Sequence, residues 1–456
     1  MIKMPLTELA QILGCPPVST SVNFNGVSID TRTLLPGNLF IAIKGEQLNG
    51  HAFVAEAAKK GASAALVDHT VTAASLPQIS VPDTLEALGK LSLHWRERFH
   101  LPIIGVTGSN GKTTLKNMIA SILRAACHHN PAQVLATEGN FNNHIGLPLN
   151  LLRLDEHQRY AVLEMGMNHF GEIAYLTRLA KPHIAVINNA AEAHLEGVQD
   201  VAGVARAKGE IFLGLAETGI AILNADDAHF AYWRSLIGNR TYFSFGLNNQ
   251  CDVTATVGDN QTIQLQTPKG HITVTLPLLG IHNVMNALAA TAATLALDID
   301  LPTIRQGLEQ VEPAPGRMQE YTLASGTRII HDAYNANPFS LQAAITTLAA
   351  FSGTKIAVLG DMKELGSNAK QLHQLAGEKI RAAGIDHLFT LGDLSAAATA
   401  DFGQPAQHFT EYQQLVTALQ PYLTKDVTIL VKGSRSMRME RIIAEIVPNA
   451  HLEQAH

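Results

Sequence analysis

The segment Gly105-Val106-Thr107-Gly108-Ser109-Asn110-Gly111-Lys112-Thr113-Thr114 constrains this chain more than any other. It follows the apolar run at 103–106. It precedes a stretch in which Leu115, Met118, Ile119, Ile122 and Leu123 recur at helical spacing. A strand, a glycine-rich loop and an amphipathic helix, in that order, make a phosphate loop. Glycines let backbone N–H groups converge on phosphate oxygens, and the helix N-terminus adds partial positive charge. On this reading Gly108, Ser109, Asn110, Gly111, Lys112, Thr113 and Thr114 hold a nucleotide. Lys112 reaches the terminal phosphates, and the Thr113 hydroxyl helps to hold Mg²⁺. The spacing is GxxGxxGKTT, so Val106 stands where the usual loop opens on glycine. Such a loop implies a nucleotide but not a reaction.

The chain has 456 residues, which at roughly 150 per domain predicts three domains. Around the loop, strand-like runs at 160–166, 183–189 and 219–224 alternate with helical patterns. That alternation predicts a mostly parallel sheet covered on both faces. The rhythm repeats at RIIHDAY, 355–361, 387–393 and 427–433, which predicts an open, Rossmann-like α/β domain. The first block has shorter pieces: VSID, LLPGNLFIAI, a helical HAFVAEAAKKG and SAALVD. The turn-rich Glu312-Pro313-Ala314-Pro315-Gly316 reads as a linker. The expected fold is therefore α/β in three domains, at 1–99, 100–314 and 315–456.

The apolar share is 46% and the net charge −6, which disfavours nucleic acid as the main partner. Cys15, Cys127 and Cys251 are isolated, with no disulfide or metal-binding pattern, and this fits a reducing compartment. The N-terminus carries no signal-like apolar core, and the alanine-rich stretch at 284–297 is shorter than the roughly 20 residues of a membrane span. A cytoplasmic protein with no membrane insertion is expected.

Glu164 closes the run YAVLEMG, at the sheet edge where α/β folds bind ligands. His194 follows HIAVINN by five residues and falls on the same edge. Lys208, in GVARAKGEIF, reads by itself as a solvated helical lysine. Lys432, Arg435 and Arg438 have helical spacing and read as a partly solvated face, with the alternative that Lys432, which follows a strand-like run, enters the cleft.

GVTGSNGKTT, EMGMNHFGEI, NNAAEAHLEGV with ARAKGEIF, GIHNVMNALAA, PGRMQ and DAYNANPFS together resemble the successive signatures of the Mur ligases, in order along essentially the whole chain. DAYNANPFS, VLGDMKELG and VKGSRSMRMER resemble the branch that adds D-alanyl-D-alanine, and no DNPR-like motif of the branch adding a single third residue is present. The resemblance implies an ADP-forming ligase that joins D-Ala-D-Ala to UDP-N-acetylmuramoyl-tripeptide through an acyl phosphate, in peptidoglycan precursor synthesis. Another Mur ligase adding a single amino acid, or a ligase like folylpolyglutamate synthetase, is the alternative.

Carried residue by residue, the resemblance implies two Mg²⁺ ions held by Thr113, Glu164, His194 and a carbamylated Lys208. It places Asn283 and Asn286 toward adenine, Arg317 at the transferring phosphate and Asp332 at the ribose. Lys112, Lys208, His194 and Arg317 are then the catalytic set. Ser28, Asp30, Thr31, Arg32, Asn49, Gly50 and His51 grip the uridine nucleotide, although the family more often has Asp where this chain has Asn49. Asn142 and Asn143 meet the muramoyl peptide, and Tyr334, Asn335 and Asn337 the incoming dipeptide. A monomer that closes about hinges near 99 and 315 is expected.

Overall fold

The computed structural model describes residues 1–18, 21–45, 48–192 and 195–447. The phosphate-loop strand Ile103–Thr107 lies within a six-stranded parallel sheet. Its order is Tyr242–Phe245, Ile220–Asn224, Ile184–Ile187, Ile103–Thr107, Tyr160–Glu164, Val134–Ala136. All five residues of Ile103–Thr107 are buried, as expected of a strand covered on both faces. Helix Lys112–Ala126 buries Leu115, Met118, Ile119, Ile122 and Leu123, the stripe seen in the sequence. The alanine-rich stretch forms helix Ile281–Leu295, buried beside it in one apolar cluster. Its small side chains permit close helix packing, so it is a core helix. Among the described residues no helix is long and apolar enough to cross a membrane. A three-stranded antiparallel sheet, Thr254–Val257, Thr262–Thr267 and Gly270–Thr275, covers one end of this block.

The first block is a four-stranded parallel sheet in the order Val27–Ser28, Leu39–Ile41, Ala64–Val67, Gln78–Ser80. Helix Thr84–Arg96 starts where Asp83 accepts hydrogen bonds from the Leu85 and Glu86 N–H groups, a side-chain N-cap. The same helix ties this block to the next. Trp95 Nε1 donates to the Leu154 carbonyl at 2.9 Å and Arg96 Nε to that of Ala180 at 2.8 Å. One apolar cluster runs continuously through both blocks, from Ile2 to Trp233 and Ile237.

The last block is a six-stranded sheet in the order Gln319–Thr322, Arg328–Asp332, Val427–Lys432, Thr354–Gly360, His387–Leu391, Ala406–Phe409. Only its first pair is antiparallel. Separate apolar clusters fill its two faces. Lys432 ends a strand, Arg435 lies in a short 3-10 turn, and the next helix opens only at Glu440. The helical spacing of Lys432, Arg435 and Arg438 is therefore a coincidence of number; of the three, only Arg438 is exposed.

Candidate active site

A cleft of about 1040 Å³ opens between the C-terminal edge of the central sheet and the last block. The phosphate loop forms its floor. Gly111 sits at φ +77°, and a Cβ there would fall 2.5 Å from Asn286 Oδ1 and 2.7 Å from Asn188 Nδ2. Glycine is required at this position by both conformation and space. Lys112 folds back over the loop, donating to the carbonyls of Gly108 at 2.8 Å and Ser109 at 3.3 Å. Burial lowers its pKa, as does the charge of Arg317 across the cleft, while Glu164 opposes the shift.

Thr113 Oγ1 donates to Glu164 Oε2 at 2.9 Å, and Asn142 Nδ2 donates to Glu164 Oε1 at 2.8 Å. The strand register places Glu164 opposite Val106, so the carboxylate emerges beside the loop. Hydroxyl and carboxylate oxygens side by side suit a hard cation such as Mg²⁺. Lys208, on helix Val201–Gly209, is 2% exposed, contrary to a solvated reading. Burial first, and the Lys112 charge second, push its pKa well below the usual lysine value. His194 lies outside the described residues.

Asparagines brace the loop from behind. Asn189 Oδ1 accepts from the Asn110 N–H, and the Asn110 carbonyl accepts from Asn188 and Asn189. Asn188 Nδ2 also donates to Asn286 Oδ1 at 2.8 Å, Asn286 Nδ2 to Asn283 Oδ1 at 3.0 Å, and Asn283 Nδ2 to the Leu279 carbonyl at 2.8 Å. Asn283 is thus inside its helix, whose N-cap is Gly280, and it lines the cleft with Asn286. Asn188, Asn189, Asn224 and Asp227 were not singled out from sequence. Their signal was position: each stands just beyond or at the C-terminal end of a parallel strand.

The opposite wall comes from the last block. Arg317, Asp332, Tyr334 and Asn335 line it. The guanidinium of Arg317 lies 4.1 Å from the Tyr334 ring centroid, and that of Arg435 lies 5.6 Å from it. One aromatic ring thereby holds two cations toward the cleft. Buried Lys432 Nζ donates to Asp332 Oδ2 at 2.6 Å and to the Asn335 carbonyl at 2.9 Å. Asn335 Oδ1 accepts from the Ala336 N–H at 2.8 Å, yet the residue lines the cleft; Asn337 does not, and both ends of its carboxamide are bonded within the protein, to the Ser340 N–H and to Asn110.

The residues marked for the uridine end form a patch outside this cleft. Arg32 Nη2 pairs with Asp30 Oδ2 at 2.7 Å, which lowers the Asp30 pKa through hydrogen bonding, and Ser28 Oγ donates to the Asp30 carbonyl. The Thr31 carbonyl accepts from Lys60 Nζ. Asn49 Oδ1 accepts from the His51 N–H and bonds its Nδ1 at 2.8 Å, while His51 Nε2 accepts from the Asp68 N–H. Gly50 lies in the turn between them.

Three family models match the chain in order. They are described as Mur ligase family, catalytic domain (residues 23–96), Mur ligase middle domain (106–294) and Mur ligase, glutamate ligase domain (316–435). A relative from Escherichia coli (strain K12), named UDP-N-acetylmuramoyl-tripeptide--D-alanyl-D-alanine ligase, is 41% identical over 98% of this chain and 99% of its own. The chain belongs to the Mur ligase family. This Mur ligase superposes on MurF from Acinetobacter baumannii with a TM-score of 0.90, at 35% identity over 98% of this chain and 99% of that one. MurF ligase from Thermotoga maritima, solved in complex with ADP, gives a TM-score of 0.81 at 27% identity, covering 92% and 96% of the two chains. The resemblance read from the motifs thus holds across the spans of all three family models.

Proposed function

We propose that this Mur ligase joins D-alanyl-D-alanine to UDP-N-acetylmuramoyl-tripeptide at the expense of ATP, releasing ADP and phosphate, in peptidoglycan precursor synthesis. The observation that carries the reading is the single cleft between Lys112, Thr113 and Glu164 on one wall and Arg317, Asp332 and Asn335 on the other. A 41% identical relative of matching length bears the name of that activity.

A carboxylate is a poor electrophile, and both it and a triphosphate are anions. The peptide carboxylate oxygen bonds to the γ-phosphorus as the bond to the ADP oxygen breaks, giving an acyl phosphate. The dipeptide amine then attacks the carbonyl carbon, phosphate leaves, and the nitrogen loses its proton. Lys112 and Arg317 offset the charge of the first step, and closure of the blocks over the cleft keeps water from the acyl phosphate.

Thr113 and Glu164, with His194, would hold Mg²⁺, which when bound neutralises phosphate charge. A neutral Lys208 amine can add carbon dioxide, forming an N–C bond and losing a proton; the product is an anion fit to join that set. We take residues 1–99 as the uridine-nucleotide block, 100–314 as the ATP block and 315–456 as the dipeptide block, in a cytoplasmic monomer. Asn142 and Asn143 serve the muramoyl peptide, and Tyr334 and Asn335 the dipeptide.

The test is one reaction. Purified protein, UDP-muramoyl tripeptide, D-Ala-D-Ala and Mg-ATP yield the pentapeptide by mass, and Lys112→Ala abolishes it. Product from a single amino acid but none from the dipeptide would overturn the assignment.

A further inference from the structure

Asn337 occupies the N-cap of helix Pro338–Ala349, where its Oδ1 accepts from the Ser340 N–H at 2.8 Å. The Ser340 hydroxyl oxygen in turn accepts from the Asn337 backbone N–H, completing a capping box. This fixes which end of the Asn337 carboxamide is oxygen. The other end, Nδ2, must therefore donate, and 2.9 Å away it meets the side chain of Asn110 in the phosphate loop. Only an oxygen can receive that bond, so Asn110 turns Oδ1 toward Asn337. Asn110 Nδ2 is left buried, without a hydrogen-bond partner among the described residues. The Asn110 backbone is held by Asn188 and Asn189, so the carboxamide flip is its remaining freedom.

A buried N–H donor without a partner is costly unless a ligand supplies an acceptor. A phosphate oxygen entering the loop is such an acceptor. We propose that Asn337 is a positioning residue: by capping its own helix it sets the polarity of Asn110, so that Asn110 Nδ2 donates to an oxygen of the bound nucleotide only when the last block is docked. Asn337 thereby links docking to the grip on phosphate and is not a contact of the dipeptide. The inference rests on the ATP reading of the loop.

Two substitutions separate the roles. Asn337→Ser keeps a good N-cap but is too short to reach Asn110. Asn337→Asp also keeps the cap, but its carboxylate can only accept, so Asn110 flips and turns its oxygen toward the phosphates. Calorimetric titration of the full chain with Mg-ATP, without peptide substrates, reads the effect. The serine variant should bind about three- to tenfold more weakly. The aspartate variant should lose at least about a further tenfold, because an acceptor then faces an anion. In an Asn110→Ala background the difference between the two variants should vanish.

Persistence of that difference would mean plain charge repulsion and overturn the inference. Unchanged ATP affinity in both variants, with or without a raised KM for the dipeptide, would overturn it as well. Wild-type protein that bound no ATP would instead remove the nucleotide reading, and this inference with it.

Discussion

Replacing Lys208 with methionine should separate stability from activity in this Mur ligase. Lys208 is 2% exposed on helix Val201–Gly209, and its pKa is pushed down by burial and then by Lys112. Both causes act against the charged form, so the native state holds this amine at a cost. The unfolded chain keeps the proton through neutral pH, whereas the folded chain resists it. Folding therefore loses free energy as pH falls below the ordinary lysine range, until the lowered folded pKa is passed. Removing the amine relieves that cost. In metal-free buffer depleted of carbon dioxide, Lys208→Met should be as stable as wild type or more stable, by on the order of 1–3 kcal/mol.

The assay has a built-in local probe. Trp233 is fully buried and donates to the Ala205 carbonyl at 3.0 Å, on the same helix, so its fluorescence in urea reports the right region. With Mg-ATP, substrates and bicarbonate restored, turnover of the variant should be lower by on the order of 10²–10³-fold, the scale of losing an electrostatic stabiliser. A loss of more than about 2 kcal/mol in the depleted buffer would mean that the lysine is paired and stabilising. Turnover within about tenfold of wild type would remove it from the metal site.

Lys432→Met should destabilise the last block by about 3–5 kcal/mol, because it strands the Asp332 carboxylate and the Asn335 carbonyl that Lys432 Nζ now satisfies. Hydrogen exchange on strands Arg328–Asp332 and Val427–Lys432 measures it, and a loss under about 1 kcal/mol would refute it. His331 is buried, and burial first, with Arg435, outweighs Asp332 to bring its pKa to about 4 from 6.5. The unfolded chain thus gains a proton below about pH 6.5 that the folded chain refuses until about pH 4, a loss of about 3 kcal/mol across that window. Denaturant titrations of wild type and His331→Gln should diverge there, with the variant less pH-dependent; parallel curves would refute it.

Much of the architecture was legible because it rests on local periodicity. The stripe from Leu115 to Leu123 needs only a 3.6-residue period to declare its helix, and the run at 103–106 needs only continuous apolarity to declare a buried strand. The phosphate loop is likewise local: glycines, a lysine and two threonines within ten residues of chain. The antiparallel sheet at Thr254–Thr275 passed unnoticed because its strands carry no continuous apolar run and are largely polar on the outer face.

What the chain alone determined, then, was the order of its elements and which side chains could do phosphate chemistry. Tertiary structure decided which of those side chains are free. Asn335 and Asn337 read alike in DAYNANPFS, yet one lines the cleft while the other is spent on a helix cap and on Asn110, 227 residues away. Lys208 reads by itself as a solvated lysine, and Lys432 either as part of a solvated face or as entering the cleft behind its strand, yet one is buried beside a like charge and the other is locked to Asp332. Hydrogen-bond saturation and burial depend on neighbours distant in sequence, and no local pattern of residues encodes them.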